Sequence, residues 1–266
     1  MRQVILFMMV GLGVATGPAI GSNALPASGP SVWPSFHAID LTHALHETVP
    51  TWPGSPVFQR ETLSRIKTDG YFLNRLCLSE HFGTHVDAPR HFAVDAPDAA
   101  SVKAQNLVIP AVVVDIHERV RRNPDTVLTL DDIRQWEQKW GRIPTGSMVI
   151  LATGWSDRWA SQTEYRNMDA NGVMHFPGFS AEAVRFLIEK RGIVALGIDT
   201  LSLDPGISED FAVHHLLAQH GRYGVENLNH PERLPPRGAL VVVGLLPFRK
   251  GSGSPARVLG LVPRKD

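Results

Sequence analysis

From Phe36 onward the chain alternates short apolar runs with amphipathic stretches. Ala111 to Ile116, Met148 to Thr153, Val194 to Ile198 and Ala239 to Leu245 are apolar runs of strand length, bounded by Gly, Pro or charged residues, and they predict buried strands. Helical spacing lies between them. Leu130-Asp131-Asp132-Ile133 opens a helix that continues through Trp136 and Trp140 to Gly141. Ser180 can cap a second, with Glu182, Ala183, Phe186 and Leu187 following at helical intervals until Arg191-Gly192 stops it. A third is expected from about Asp210 to His220. Strands alternating with helices predict an α/β domain with a largely internal sheet. No internal repeat or low-complexity tract is evident.

The first residues follow a different pattern. Met1-Arg2 precedes an apolar stretch from Val4 to Val14, and small and helix-breaking residues follow from Gly17 to Ala24. The stretch is too short to span a bilayer core of about 30 Å, and Ser22-Asn23-Ala24 offers small residues for a signal peptidase. We expect a signal peptide over residues 1–24 and a periplasmic or secreted mature protein, a retained anchor being the alternative. Residues 25–35, rich in Pro, Ser and Gly, read as a flexible linker. The folded domain is then 36–266.

Composition narrows the chemistry. Of 266 residues, 43% are hydrophobic and 20% charged, with 26 basic side chains against 26 acidic ones, which is a globular balance with ample material for a core. Zero formal net charge gives no electrostatic reason to expect nucleic acid or an acidic membrane surface as a partner. The single cysteine, Cys77, excludes an internal disulfide framework and any multi-cysteine metal site. A metal would have to be held by histidine and carboxylate, and the chain has 12 histidines.

The informative segment is His81-Phe82-Gly83-Thr84-His85-Val86-Asp87-Ala88-Pro89-Arg90-His91. On a helix Asp87 would point away from His81 and His85, and Gly83 and Pro89 would weaken that helix. On a strand, positions 81, 85 and 87 share a face, but four extended residues span roughly 13 Å, too far for two imidazoles that must each lie about 2.1 Å from one ion. A turn at Gly83-Thr84 resolves this, so the expected ligand set is His81, His85 and Asp87. His91 follows the Ala88-Pro89 turn, which can return its ring to the pocket as an unligated proton carrier. The competing reading is a chance grouping of surface or core histidines. His214 and Glu226 form a second, weaker candidate group, for which a capping or salt-bridge arrangement is the ordinary alternative. Neighbouring His215 reads as structural.

With those residues in view, HFGTHVDAPRH resembles the signature His-x-Gly-Thr-His-x-Asp-x-Pro-x-His of the metal-dependent cyclase family, which includes bacterial kynurenine formamidases and isatin hydrolases. The resemblance extends through TVPTWPGSP, GIDTLSLDP, HHLLAQHGRYGVENL and the closing GSGSPARVLGLVP. It implies a swivelling β/β/α domain, commonly dimeric or tetrameric, with zinc or manganese bound as one or two ions. It implies His81, His85 and Asp87 as ligands, His91 as general acid/base, and Asp87 again with His214 and Glu226 at a second site. Trp52 is the substrate-binding candidate, able to stack on a planar aromatic substrate, and the resemblance also places an aromatic residue from this region at the pocket; a core tryptophan fixing a turn is the alternative. The chain departs from compact formamidases in its export signal and in extra residues around Trp155 to Gly178. Isatin hydrolases generally lack the equivalent of Glu226, so keeping it favours the two-metal formamidase type.

The expected activity is arylformamidase-like, a metal-dependent hydrolysis of an amide, formamide or lactam bond in a small, aromatic substrate, with an isatin hydrolase-like or lactone-cleaving enzyme as the alternative. The ion would lower the pKa of bound water from 15.7 towards about 7, and His91 would carry the proton to the leaving atom. Asp199 and Thr200 are candidates for supporting the ligands, with strand-end packing as the plainer account. Other classes fit poorly. Ser156 lacks the flanking glycine of a nucleophile elbow. Gly251-Ser252-Gly253 lies too near the end to open a dinucleotide-binding βαβ unit. A non-catalytic periplasmic metal- or ligand-binding protein would have no use for His91 beside the ion.

Overall fold

The structure, a computed structural model, describes residues 35–56 and 58–264. The expected signal peptide, and all of the expected linker except Ser35, lie outside the described residues. The strands are β1 (Phe36–Asp40), β2 (Gln59–Ser64), β3 (Leu73–Cys77), β4 (His85–Asp87), β5 (Val108–Asp115) and β6 (Val127–Leu128) in the first half. The second half adds β7 (Met148–Ala152), β8 (Gly178–Phe179), β9 (Ala195–Ile198), β10 (Tyr223–Glu226), β11 (Ala239–Leu245) and β12 (Gly253–Pro263). The helices are α1 (Ile66–Asp69), α2 (His117–Val120), α3 (Leu130–Trp140), α4 (Gln162–Arg166), α5 (Ala181–Phe186) and α6 (Ala212–Gln219).

Eight strands form the main sheet in the order β1-β12-β11-β5-β7-β9-β10-β4. The long strand β12 also pairs with β4, so the sheet returns on itself as a barrel and β1 continues along its edge. Strands β5, β7, β9 and β10 run parallel, and the remaining pairings in this sheet are antiparallel. The expected α/β class is the observed one.

Period-two alternation divides the core into two layers. Ala111 and Val113 of β5, and Met148, Ile150 and Ala152 of β7, fill the barrel interior with Val225, Val241 and Val258. Their neighbours Val112, Val114, Val149 and Leu151 face outward, where Ile133 and Trp136 of α3, Ala183 and Val184 of α5, and Val213, Leu216 and Leu217 of α6 cover them. Both faces of the parallel strands are therefore buried, which is why they read as continuous apolar runs rather than as alternating ones.

The predicted element ends shift little. β5 begins at Val108 rather than Ala111, and β11 spans the expected residues. Thr129 caps α3 in a reciprocal box with Asp132, and Gly141 ends it. Ser180 caps α5, which continues as a π-turn over Leu187–Arg191 before Gly192 closes it at φ +64°. The third helix starts at Ala212, two residues later than Asp210. One assignment changes type. Glu226, which the glycines at 221 and 224 would suggest is in a loop, ends strand β10 (Tyr223–Glu226).

Candidate metal centre

The site forms where the barrel closes. Gly83 adopts φ +64°, a left-handed conformation that costs a glycine little, and turns the chain into β4. Within β4, His85 and Asp87 point to one face while Val86 points into the barrel. Antiparallel pairing sets Glu226 opposite His85, and Gly224 and Gly253 opposite Asp87 on its two sides. Asp87 thus has no side chain directly across from it on either neighbour. His214 is brought over this face by α6.

Two groups of donors result, His81–His85–Asp87 and Asp87–His214–Glu226, each with its ligand atoms within 4.8 Å of one another. Asp87 belongs to both. His81 Nδ1 is 2.5 Å and His85 Nε2 3.2 Å from Asp87 Oδ1, while His214 Nε2 is 3.2 Å from Asp87 Oδ2 and 3.0 Å from Glu226 Oε1. His85 Nε2 also lies 3.4 Å from Glu226 Oε2, which closes the ring of donors.

The donors are held from behind. His85 Nδ1 faces the Gly83 carbonyl at 2.9 Å, and His214 Nδ1 faces Asp204 Oδ2 at 2.6 Å. Asp204 also accepts the Val213 and His214 backbone N–H groups at the start of α6, so one buried carboxylate orients both the helix and its histidine. The Leu203 N–H donates to Glu226 Oε1. Asn227 donates to the Gly83 carbonyl and accepts the Thr84 hydroxyl through its own carbonyl, fastening the turn to the end of β10.

Burial opposes charge on every member of the cluster, and the neighbours decide the outcome. Against burial, His81 and His85 hold the Asp87 carboxyl well below its ordinary range. Against burial again, Asp87 and Glu226 push His85 up to about 9, and hydrogen bonds donated to Asp204, Asp87 and Glu226 raise His214 well above the imidazole range. Glu226 moves upward, through burial and then the Asp87 charge. Two buried carboxylates therefore draw positive charge into the cluster. Protons on His85 and His214 supply it in the metal-free chain, and a divalent cation would supply it by replacing them. Three imidazoles and two carboxylates without a thiol suit zinc or manganese.

His91 lies outside both donor groups. Its ring stacks on His81 at 3.8 Å between centroids and faces the cleft. Loss of hydration, aided by the His81, His214 and His85 charges and opposed by Asp87, lowers its pKa to about 4. The ring edge is open to solvent, which moderates this shift but keeps its direction, so His91 is neutral at pH 7.

Above the donors is a cleft of about 330 Å³ lined by Trp52, Phe92, Leu201 and Phe211. Trp52 is 37% exposed, so it belongs to the mouth of the cleft rather than the core, and its ring lies 5.9 Å from that of Phe211. The extra residues after Trp155 hold this wall in place. Arg166 on α4 donates to the Thr51 carbonyl at 2.6 Å and to its hydroxyl at 3.2 Å.

Other sequence candidates are structural. Asp199 accepts from Thr153 and from the Trp155 backbone N–H, and the Thr200 hydroxyl donates to the Ser202 carbonyl, so both tie strand ends together. The Ser156 hydroxyl is spent on the Leu228 carbonyl. His215 packs edge-on against Phe92 and lies outside both donor groups. Sequence reasoning missed Asp204, Asn227, Phe92 and Phe211. Asp204 carries a helix-cap signal, but it lies nine residues before the first N–H it accepts, beyond any local pattern.

Residues 39–205 match the Cyclase family, described as "Putative cyclase". The chain belongs to this family. It is 32% identical to an isatin hydrolase of Roseibium aggregatum over 243 residues, covering 85% of this chain and 92% of the relative. A kynurenine formamidase of Bacillus cereus is 28% identical over 191 residues, 71% of this chain and 81% of that protein. The solved structure of isatin hydrolase A from Ralstonia solanacearum superposes with a TM-score of 0.81 at 36% identity, covering 85% of this chain and 92% of that one. With the donor groups described above, these likenesses make the family member described here a metal-dependent hydrolase of amide carbon–nitrogen bonds.

Proposed function

We propose that this cyclase-family chain opens the amide ring of a small, flat aromatic lactam of the isatin type, using two divalent cations that share Asp87. The carrying observation is the position of one carboxylate between two donor groups at the floor of an aromatic-walled cleft. His81, His85 and Asp87 would hold one cation, and Asp87, His214 and Glu226 the other, zinc and manganese being the candidates. When bound, such ions lower the pKa of a water and polarise a carbonyl oxygen.

The protein's own groups supply the rest. Trp52, Phe92 and Phe211 stack against a planar ring and exclude water from its faces. Neutral His91 accepts a proton as water oxygen bonds to the carbonyl carbon, and returns it to nitrogen as the carbon–nitrogen bond breaks. The products are an amine and a carboxylic acid on one molecule, and the acid ionises to the carboxylate by losing its remaining proton to solvent. Aryl formamide hydrolysis is the second reading, favoured by Glu226, which completes the second donor group. Assay of the zinc- and manganese-loaded protein on isatin, N-formylkynurenine and an aryl lactone tests the assignment. Fastest turnover of the lactam is expected, and turnover of the lactone alone would overturn it.

Two further proposals accompany this reading. Export rests on the residue pattern of 1–24, and a mature N-terminus still at Met1 in the cytoplasm would contradict it. A homodimer or homotetramer is supported by the apolar tip of the β2–β3 hairpin, where Ile66, Tyr71 and Phe72 are 56–70% exposed, and light scattering showing a monomer would contradict it.

A further inference from the structure

The Gly251-Ser252-Gly253 stretch is neither a donor nor a cleft wall, yet it meets the site. The Ser252 hydroxyl lies 2.8 Å from His81 Nε2 and 2.5 Å from Glu80 Oε2, and the Ser252 N–H donates to the same Glu80 oxygen at 3.0 Å. A carboxylate only accepts, so the short contact takes the serine proton. Ser252 Oγ is left to accept from His81, which places the imidazole proton on Nε2. Nδ1, 2.5 Å from Asp87 Oδ1 and inside the donor group, shares a hydrogen with that carboxylate in the metal-free chain and is the nitrogen that a cation would use.

Both flanking glycines follow from this arrangement. A Cβ at Gly253 would collide with the Val86 carbonyl and sit 2.8 Å from the His81 ring, and one at Gly251 would sit 2.8 Å from Glu80 Oε1. His85 and His214 are oriented by direct acceptors, the Gly83 carbonyl and Asp204. His81 has no direct carbonyl or carboxylate behind it and is the most exposed of the three, at 24% of its side chain against 4% and 6%. It is the donor that most needs an external hold.

We propose that Glu80 and Ser252 act as positioning residues, a carboxylate–hydroxyl relay that fixes His81 as its Nε2–H tautomer and keeps Nδ1 free as a metal donor. The metal consequence rests on the function proposed above, whereas the hydrogen bond from His81 Nε2 to Ser252 does not. An outer partner of a ligating histidine is worth about 10–100-fold in metal affinity.

The test combines ¹⁵N-histidine NMR, zinc affinity by chelator competition and a melting curve on the wild type, Ser252→Ala, Ser252→Thr and Glu80→Ala. In the zinc-loaded wild type, His81 should show a protonated Nε2 and a metal-shifted Nδ1. Zinc affinity should fall about 10–100-fold in Ser252→Ala and Glu80→Ala, and Ser252→Thr, which keeps the hydroxyl, should recover most of it. Glu80→Ala carries the test if Ser252→Ala does not fold. Unchanged zinc affinity in the alanine variants, or His81 protonated on Nδ1 in the zinc-loaded wild type, would overturn the relay. A wild type that binds no zinc would instead sink the functional reading. The relay would then be judged on the metal-free protein, where a His81 Nε2–H protected from exchange in the wild type and exposed to exchange in the alanine variants supports it, and the same exchange throughout overturns it.

Discussion

Asp87 Oδ2 and His214 Nε2 stand 3.2 Å apart although 127 residues separate them, while the other Asp87 oxygen faces His81 and His85. One carboxylate therefore joins a β4 donor group to an α6 and β10 donor group. Asp87→Asn should reduce bound metal at both groups together and lower kcat/KM by more than the roughly 10–100-fold typical of an outer partner. His214→Ala should empty only the second group. Metal analysis of the two purified variants distinguishes them, and equal loss in both would show that the groups are not built around a shared carboxylate.

Asp204 serves α6 and His214 at once. Asp204→Ala should lower stability by about 1 kcal/mol through the lost cap, which is a Tm decrease of roughly 2–4 °C in a domain of this size. It should also weaken metal binding at the second group by about 10–100-fold. Calorimetry and chelator competition read the two effects separately.

His91 is the imidazole left outside both donor groups. His91→Ala should keep its full metal content and melting temperature but lose about 10²–10⁴-fold in kcat, with KM little changed. Wild-type turnover in this variant would remove His91 from the proton transfer.

His43 gives a pH prediction away from the donors. Its ring stacks on Trp159 at 3.9 Å, its Nε2 is buried without a partner, and burial followed by the His230 charge lowers its pKa to about 3. Between that value and 6.5 the unfolded chain binds a proton that the folded chain does not, so this contribution to stability is full above 6.5 and is lost as pH falls towards 3. The effect is on the order of a few kcal/mol. His43→Phe keeps the stacked ring and removes the titration, so urea unfolding of the variant should show a flatter loss of stability across this window than the wild type. A parallel loss in both proteins would contradict the assignment.

What the sequence made legible follows from the range of the forces involved. His81, His85 and Asp87 lie close enough for strand periodicity and one glycine turn to unite them, and Gly83 at φ +64° is that turn. The inner strands were visible because burial on both faces leaves uninterrupted apolar runs, as in Met148–Ala152. β10 was not, since it is short and carries Glu226 where a core residue would otherwise be. The pairing of Glu226 with His85, and the approach of Ser252 to His81, depend on closure of the barrel between β4, β10 and β12. Nothing in local spacing encodes that closure.

The central claim is that Asp87 anchors two cations needed for amide hydrolysis. Its most direct test is stoichiometric zinc or manganese titration of chelator-stripped protein, with lactam turnover followed at each addition. Activity should be absent at the start and rise to a plateau at two ions per chain. Full turnover by the stripped protein, with no cation taken up under excess metal, would contradict the account.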